Sequence, residues 1–268
     1  MSAETCLPAA VDIERPNAAR LHDALLGGSR NFSTDRALAQ RLVSAVPGVA
    51  LDVVAERGFL FRAVRYCVDV GVRQFLDLGC GIPSVGNAYT VIRRAAPDAR
   101  VLCVDADLAA VALTRVMTRD DDRAGAIEAD LRGPGGLLDY HDLTALLRLD
   151  QPVAVLLVSV LHLLGDADDP WSIVASLQDR LAAGSLMVIS HLTGENQPED
   201  MATLQQLMQD AGLAITARTR GEVERLLTGF ELVDPGLVRA PHWRPGSDQD
   251  DPHAAAPSRV LAALGRKP

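Results

Sequence analysis

Two apolar runs that each end in acids constrain this chain more than any other feature. Phe75-Leu-Asp-Leu-Gly-Cys-Gly-Ile82 closes on the pattern Asp-x-Gly-x-Gly, and Val101-Leu-Cys-Val-Asp-Ala-Asp107 follows one helix-length later. Such a pair reads as adjacent strands of a parallel sheet whose carboxyl ends hold a nucleoside. The glycines of the first turn let backbone approach a ligand, and the acid after the second strand can grip ribose hydroxyls.

The rest of the chain repeats this alternation. Short apolar runs at 74–78, 100–104, 126–129, 153–158 and 185–190 read as parallel strands buried on both faces. Between them lie helical stretches at 85–96, 108–117, 140–147 and 170–181, the last begun by Asp169 ahead of Pro170. Helices near 199–211 and 221–227 follow, and 230–233 and 259–264 read as closing strands. The segment 235–257 between those strands, rich in Pro, Gly, His and Asp, reads as a mobile loop or a cover over a site. Ahead of the sheet, residues 1–13 read as a flexible tail. Asn17 caps a helix through Leu26 that Gly27-Gly28 stops, and further helices run over 35–46 and 51–70. The expected organisation is a single domain over 14–268: a helical cap (14–70) on a Rossmann-like core (71–268).

Composition excludes several classes of function. The net charge of −9 disfavours a broad nucleic-acid footprint, and the few aromatics disfavour a stacking platform for single strands. Cys6, Cys67, Cys80 and Cys103 form no C-x-x-C pair, so neither a zinc cluster nor a disulfide framework is expected. No H-E-x-x-H or EF-hand pattern appears, and no metal is expected. The start of the chain lacks the pattern of a signal peptide, and the longest apolar run (153–164) is too short to span a bilayer. A reducing, cytoplasmic setting follows.

The glycine turn discriminates among nucleotide cofactors. A dinucleotide fingerprint wants a third glycine at position 84, where this chain has Ser84, and no P-loop pattern is present. Asp105 falls 24 residues after Gly81, the separation expected of a ribose-binding acid, whereas Asp107 is placed to cap the next helix. Asp130 at the end of the third strand reads two ways. It accepts from an exocyclic adenine amine while the next backbone amide serves a ring nitrogen, or it only opens the turn at 133–136.

The order Asp77-x-Gly79-x-Gly81, Asp105, Asp130-Leu131 and 157–163 (LVSVLHL) resembles class I S-adenosylmethionine-dependent methyltransferases. The N-terminal stretch 15–35 (RPNAARLHDALLGGSRNFSTD) looks like the opening of the bacterial S-adenosyl methyltransferase family formerly catalogued as a domain of unknown function. Val64-Arg-Tyr66, Gln74-Phe75, Gly86-Asn87 and Pro241-x-Trp-Arg-Pro245 are similar to it too. Departures are His22 for an aromatic Tyr, Ser29 for Lys and Cys80 for Ser.

The resemblance implies an α/β fold: a Rossmann-like seven-stranded class I methyltransferase sheet, with the last strand antiparallel and inserted beside the sixth, under an N-terminal helical cap. It implies S-adenosylmethionine as cofactor and methyl transfer to a small-molecule acceptor in secondary metabolism. A binder that does not methylate and a nucleotide-cofactor oxidoreductase are the alternatives. The implied cofactor set is Gly27, Gly28, Asn31, Asp77, Gly79, Cys80, Gly81, Asp105, Ala106, Asp130, Leu131 and Ser159, with the 27–31 loop folding over the ligand or serving only as a helix stop. His162 and His191, at the carboxyl edge of the sheet, are candidate general bases or else lining residues. Arg62 and Arg65 either reach the methionine carboxylate or form a solvated face paired with Glu56 or Asp69. His242 and Trp243 either shape the substrate end or lie on the surface.

Overall fold

Asn17 starts the folded chain as the sequence requires. Its side-chain oxygen accepts from the amides of Ala19 (2.8 Å) and Arg20 (3.2 Å), capping α1 (Ala18–Leu25). The computed structural model describes residues 11–84, 86–133, 137–245 and 258–268. The expectations for residues 1–10, Val85, 134–136 and 246–257 lie outside that set. Helices α2 (Ser33–Ala45) and α3 (Val49–Asp69) follow α1. A buried carboxylate ties the first two together. Asp35 accepts from the Asn17 amide (2.9 Å), the Phe32 amide (2.8 Å) and Arg20 Nε (2.9 Å).

The apolar runs form β1 (Gln74–Leu78), β2 (Arg100–Asp105), β3 (Ala124–Glu128), β4 (Ala154–Leu157) and β5 (Leu186–Leu192). They pair in parallel in the order β3-β2-β1-β4-β5, with Leu76 opposite Leu102 on one side and Val155 on the other. Every residue of β1, β4 and β5 is buried, which explains why these strands read as unbroken apolar runs. The intervening helices are α4 (Ala88–Ala95), α5 (Leu108–Thr118), α6 (His141–Leu146) and α7 (Pro170–Arg180). α4 begins three residues later than the sequence expectation because the Asn87 side chain caps it by accepting from the Thr90 amide (3.0 Å).

After α8 (Pro198–Asp210) and α9 (Arg220–Arg225) come three strands: β6 (Glu231–Leu232), β7 (Val238–Arg239) and β8 (Val260–Arg266). β8 runs antiparallel between β5 and β6, as expected for this sheet type. β7 is an addition that the sequence did not signal. It has two residues, too few for alternation, and pairs with Leu261 and Ala262 of β8. The segment carrying it is therefore partly structured, contrary to a wholly irregular loop over 235–257. Trp243 in that segment is neither on the surface nor at a substrate end. It is fully buried, edge-on to Phe59 (centroids 5.3 Å apart) and Tyr66 (6.1 Å), while His242 is exposed.

Strand alternation divides the core between the two faces of the sheet. Phe75, Cys103, Leu156 and Val188 pack toward α2, α3, α4 and α8; Leu76, Val104, Val155 and Ile189 pack toward α6, α7 and α9. Leu21, Leu42, Phe59 and Val64 of the first three helices share the former cluster, so the segment expected as a cap lies against that face of the sheet. Full burial of each such side chain stabilises the fold by about 1.5–3 kcal/mol. Among the described residues no single helix is long and apolar enough to cross a membrane.

Candidate active site

Strand order reverses between β1 and β4, and this is where an open α/β sheet opens a crevice at its carboxyl edge. A cavity of about 450 Å³ occupies that place, within the usual range for small-molecule sites.

The turn after β1 forms its floor. Gly79 and Gly81 take φ of +71° and +64°, left-handed values that favour glycine. A Cβ on Gly79 would sit 2.5 Å from Val160 Cγ2, so that glycine also admits the chain after β4. The amides of Gly79 and Cys80 donate to Val104 O (2.8 and 3.1 Å), fastening the turn to β2. Asp105 continues the same lock: Oδ2 accepts from the Gly81 amide (2.7 Å) and Oδ1 from the Asp107 amide (2.8 Å). Each oxygen keeps a further lone pair for a ligand hydroxyl. Burial raises the Asp105 pKa, against the pull of those two amides. Asp107 caps α5 through Oδ1 (2.7 Å to the Ala109 amide), while its buried Oδ2 has no partner and lies in the cavity wall.

Of the residues singled out by sequence, Asp77, Gly79, Cys80, Gly81, Asp105, Ala106, Asp130, Leu131, Ser159 and His162 line this cavity. Asp130 does so while held by Arg132, whose Nη2 lies 2.6 Å from Oδ2. Its own carbonyl opens the turn to Gly133.

Gly27, Gly28, Asn31 and His191 stand away from the cavity wall. The 27–31 loop folds back on Asp23, and its Arg30 Nη1 donates to Pro83 O in the turn after β1. Asn31 Nδ2 donates to Asp23 Oδ2 (2.8 Å) and Gly28 O (2.9 Å), so both its amide protons are committed, and its Oδ1 accepts from Arg36 (3.0 Å). Gly28 is required because a Cβ there would fall 2.1 Å from Asp23 Oδ1, and Gly27 ends α1 at φ +74°. His191 is fully buried within β5. Its Nδ1 bonds Leu192 O (2.8 Å), which fixes the proton there, and its Nε2 accepts from Arg218 Nη1 (2.9 Å). Burial lowers its pKa to about 4. With both nitrogens occupied and no access to the cavity, it has no proton-accepting atom to offer. His162 does line the cavity with an unpartnered Nδ1, and burial lowers it to about 3.

Neither Arg62 nor Arg65 lines the crevice. Arg62 donates to the carbonyls of Trp243 and Ala240 (both 2.7 Å), and Arg65 lies over the Phe61 ring. Glu56, offered by sequence as their partner, is buried instead in the cavity wall, where it accepts from the hydroxyls of Ser159 and Ser190. The charged wall that sequence reading missed comes from α1 and α3: His22, Asp52, Glu56 and Arg57. A signal existed, since Asp52 and Glu56 fall on the helical stripe of Val49, Val53, Leu60, Ala63 and Cys67. Asp52 is neutralised by Arg259, through Nε (2.8 Å) and the amide (2.8 Å). Arg57 Nε is buried without a partner among the described residues, and burial lowers the Arg57 pKa against the charges of Asp77, Glu56 and Asp23. Asp77 makes no hydrogen bond through its carboxylate among the described residues, and burial raises it to about 7. Among the described residues no cluster of His, Cys, Asp or Glu is disposed to hold a metal ion.

These orphan groups fit an adenosyl amino acid. Asp105 and Asp107 could supply acceptors to a sugar, and Ile82, Val104, Ala129 and Leu131 apolar walls to a base. Arg57 and Asp77 supply opposite charges for an α-carboxylate and an α-ammonium. A family model for S-adenosyl methyltransferases matches residues 4–268. The crystal structure of a candidate methyltransferase from Thermobifida fusca superposes with a TM-score of 0.89 at 35% identity, over 97% of this chain and 98% of that one. A DUF574 family protein from Streptomyces avermitilis gives 0.89 at 29% identity, over 96% and 99%. Human N-acetylserotonin methyltransferase, solved in complex with SAM, shares the fold alone, with a TM-score of 0.50 at 16% identity over 87% and 57%. No curated protein matches the sequence.

Proposed function

The chain belongs to the S-adenosyl methyltransferase family, and from that premise we propose that it methylates a small-molecule acceptor held between the sheet edge and α1, α2, α3 and α8. The cofactor, when bound, supplies a methyl group already activated on a sulfonium. The protein's part is to hold, orient and exclude water. Asp105 takes the ribose hydroxyls, Asp130 and Leu131 face the adenine, and Arg57 and Asp77 take the two charges of the amino-acid end. Orientation of this kind is worth about 7–11 kcal/mol of barrier lowering.

One observation carries the small-molecule reading. Besides the groups assigned to the cofactor, the cavity is lined by Leu21, Leu42, Leu60, Leu192, Leu204 and Met208, an apolar chamber contributed by the helices and β5. Its walls are apolar and its polar groups few, the usual composition of a small-molecule pocket. A net charge of −9 supports the absence of a nucleic-acid partner.

Ligand-dependent thermal shift tests the reading. S-adenosylhomocysteine should raise the melting temperature, by an increment equivalent to about 2.7 kcal/mol at a hundredfold excess over its dissociation constant, and NAD should leave it unchanged. Stabilisation by NAD alone would overturn it.

A further inference from the structure

Four acids on the first three helices are buried, Asp23, Asp35, Asp52 and Glu56, and they are satisfied differently. Asp35 is bound by Arg20 and Asp52 by Arg259. Glu56, 4% exposed, has no cation among its hydrogen-bond partners. A buried carboxylate is ordinarily paired with a cation; Asp23 is held instead by the Arg30 amide and Asn31 Nδ2 of its own loop, whereas Glu56 is held across the fold by two serines and lines the cavity.

The surroundings are built around it. Ser159 follows β4 at φ +62°, a left-handed conformation that a non-glycine residue adopts only where its neighbours enforce it. In that conformation its amide donates to Ser190 Oγ (2.8 Å) and its hydroxyl to Glu56 Oε2. Ser190, on β5, donates its own hydroxyl to Glu56 Oε1 (2.7 Å). Both hydroxyl protons thus point at the carboxylate, leaving Glu56 with lone pairs free toward the cavity it lines. The sugar-side acids stand at the ends of β2 and β3, and Ser159 stands past β4, on the far side of β1. Glu56 therefore sits where the amino-acid end of the cofactor site gives way to the apolar chamber.

We propose that Glu56 is the proton acceptor in methyl transfer, so the acceptor molecule is an apolar body carrying a protic nucleophile, a hydroxyl or an N–H. This rests on the methyltransferase reading above. The acceptor's proton passes to a Glu56 oxygen, and the electron pair it leaves forms the bond to the methyl carbon. The sulfur–methyl bonding pair stays on sulfur as a neutral thioether. The starting charges, one positive on sulfur and one negative on Glu56, cancel in the products.

Burial raises Glu56 to about 7, against the two serine hydroxyls, in the range useful to a base at neutrality. The charged and titratable groups around it are Asp52 and Arg57 on its own helix, His22 from α1, Asp77 from β1 and His162 from beyond β4. Both histidines stay neutral down to about 3, so Asp77 and Glu56 are the groups among these pushed to about 7.

Binding decides the matter without a known acceptor. The probe is sinefungin, a cofactor analogue with a primary amine where the transferable methyl stands, measured beside S-adenosylhomocysteine by calorimetry. E56Q should lose on the order of tenfold or more in sinefungin affinity while keeping its affinity for S-adenosylhomocysteine. In the wild type, the preference for sinefungin should be present above about pH 7 and fade as Glu56 takes up a proton. An unchanged ratio of the two affinities in E56Q overturns the proposal. If E56Q binds neither ligand, S159A decides. Losing a hydroxyl that favours the carboxylate should move the pH midpoint of the sinefungin preference upward, and an unmoved midpoint overturns the proposal. A wild-type protein that binds neither ligand would instead defeat the methyltransferase reading.

Discussion

Arg57 shows why a helix sequence alone does not say which arginine faces a cavity. Arg62 and Arg65 attract attention by their spacing, yet one is held by carbonyls at 2.7 Å and the other lies on an aromatic ring. Arg57 sits in the same helix with its Nε buried and unpartnered in the cavity wall. Which arginine faces the crevice depends on how α3 is rotated against the sheet, and the strand partners that set this rotation are distant in sequence. Asp105 was legible because its place depends only on the strand–turn–strand unit that contains it. If Arg57 holds the α-carboxylate, Arg57→Met should weaken S-adenosylhomocysteine by about 1.5–3 kcal/mol, the worth of a hydrogen bond to a charged group. Methylthioadenosine, which lacks the amino-acid end, should bind the variant as it binds the wild type. Calorimetry with both ligands checks this, and equal losses for the two would place Arg57 elsewhere in the site.

At the scale of elements, the first two helices depend on one ion pair. Arg20 and Asp35 are 5% and 0% exposed in their side chains, and Asp35 also receives the Asn17 and Phe32 amides. Removing one member leaves an uncompensated buried charge. Arg20→Met should therefore destabilise the protein by about 3–5 kcal/mol. Replacing both, as R20M with D35L, should recover a large part of that loss, though the two amides then lose their acceptor. Urea unfolding of the three proteins tests it, and a double variant no better than R20M would show that the Asp35–amide bonds, not the ion pair, dominate. Because α1 supplies Ala18, Ala19 and His22 to the cavity wall, the same variants should weaken ligand binding. Sequence read α1 well, since Asn17 and Gly27 are local signals. The fold of the 27–31 loop was less legible, because the acid it packs on, Asp23, looks like any solvated helix residue until Gly28 is seen pressed against it.

Across the whole molecule, the legible part of the fold was the part written as continuous apolar runs: the parallel strands and, from their order, the crevice at the β1–β4 reversal. The less legible part was the chamber beside it, because four helices from distant stretches of sequence wall it and two strands deliver Ser159 and Ser190 to Glu56. Such a chamber has a measurable consequence for global stability. Glu56 is raised from 4.5 to about 7 in the folded protein, chiefly by burial. Between those values the folded state holds a proton that the unfolded chain has released, so stability falls as pH rises toward 7. Above about 7 both states are ionised, and the folded one bears the full penalty of a buried charge. E56Q keeps the shape of the protonated side chain without that charge. It should match the wild type near pH 4.5, gain on it by about 1.4 kcal/mol per pH unit, and level off above about pH 7 at an advantage on the order of 3–3.5 kcal/mol. Denaturant unfolding at about pH 5 and about pH 8 measures both ends of that curve. A variant less stable than the wild type at the alkaline end would mean that the serine hydroxyls outweigh the burial of the charge, and Glu56 would then remain ionised well below neutrality.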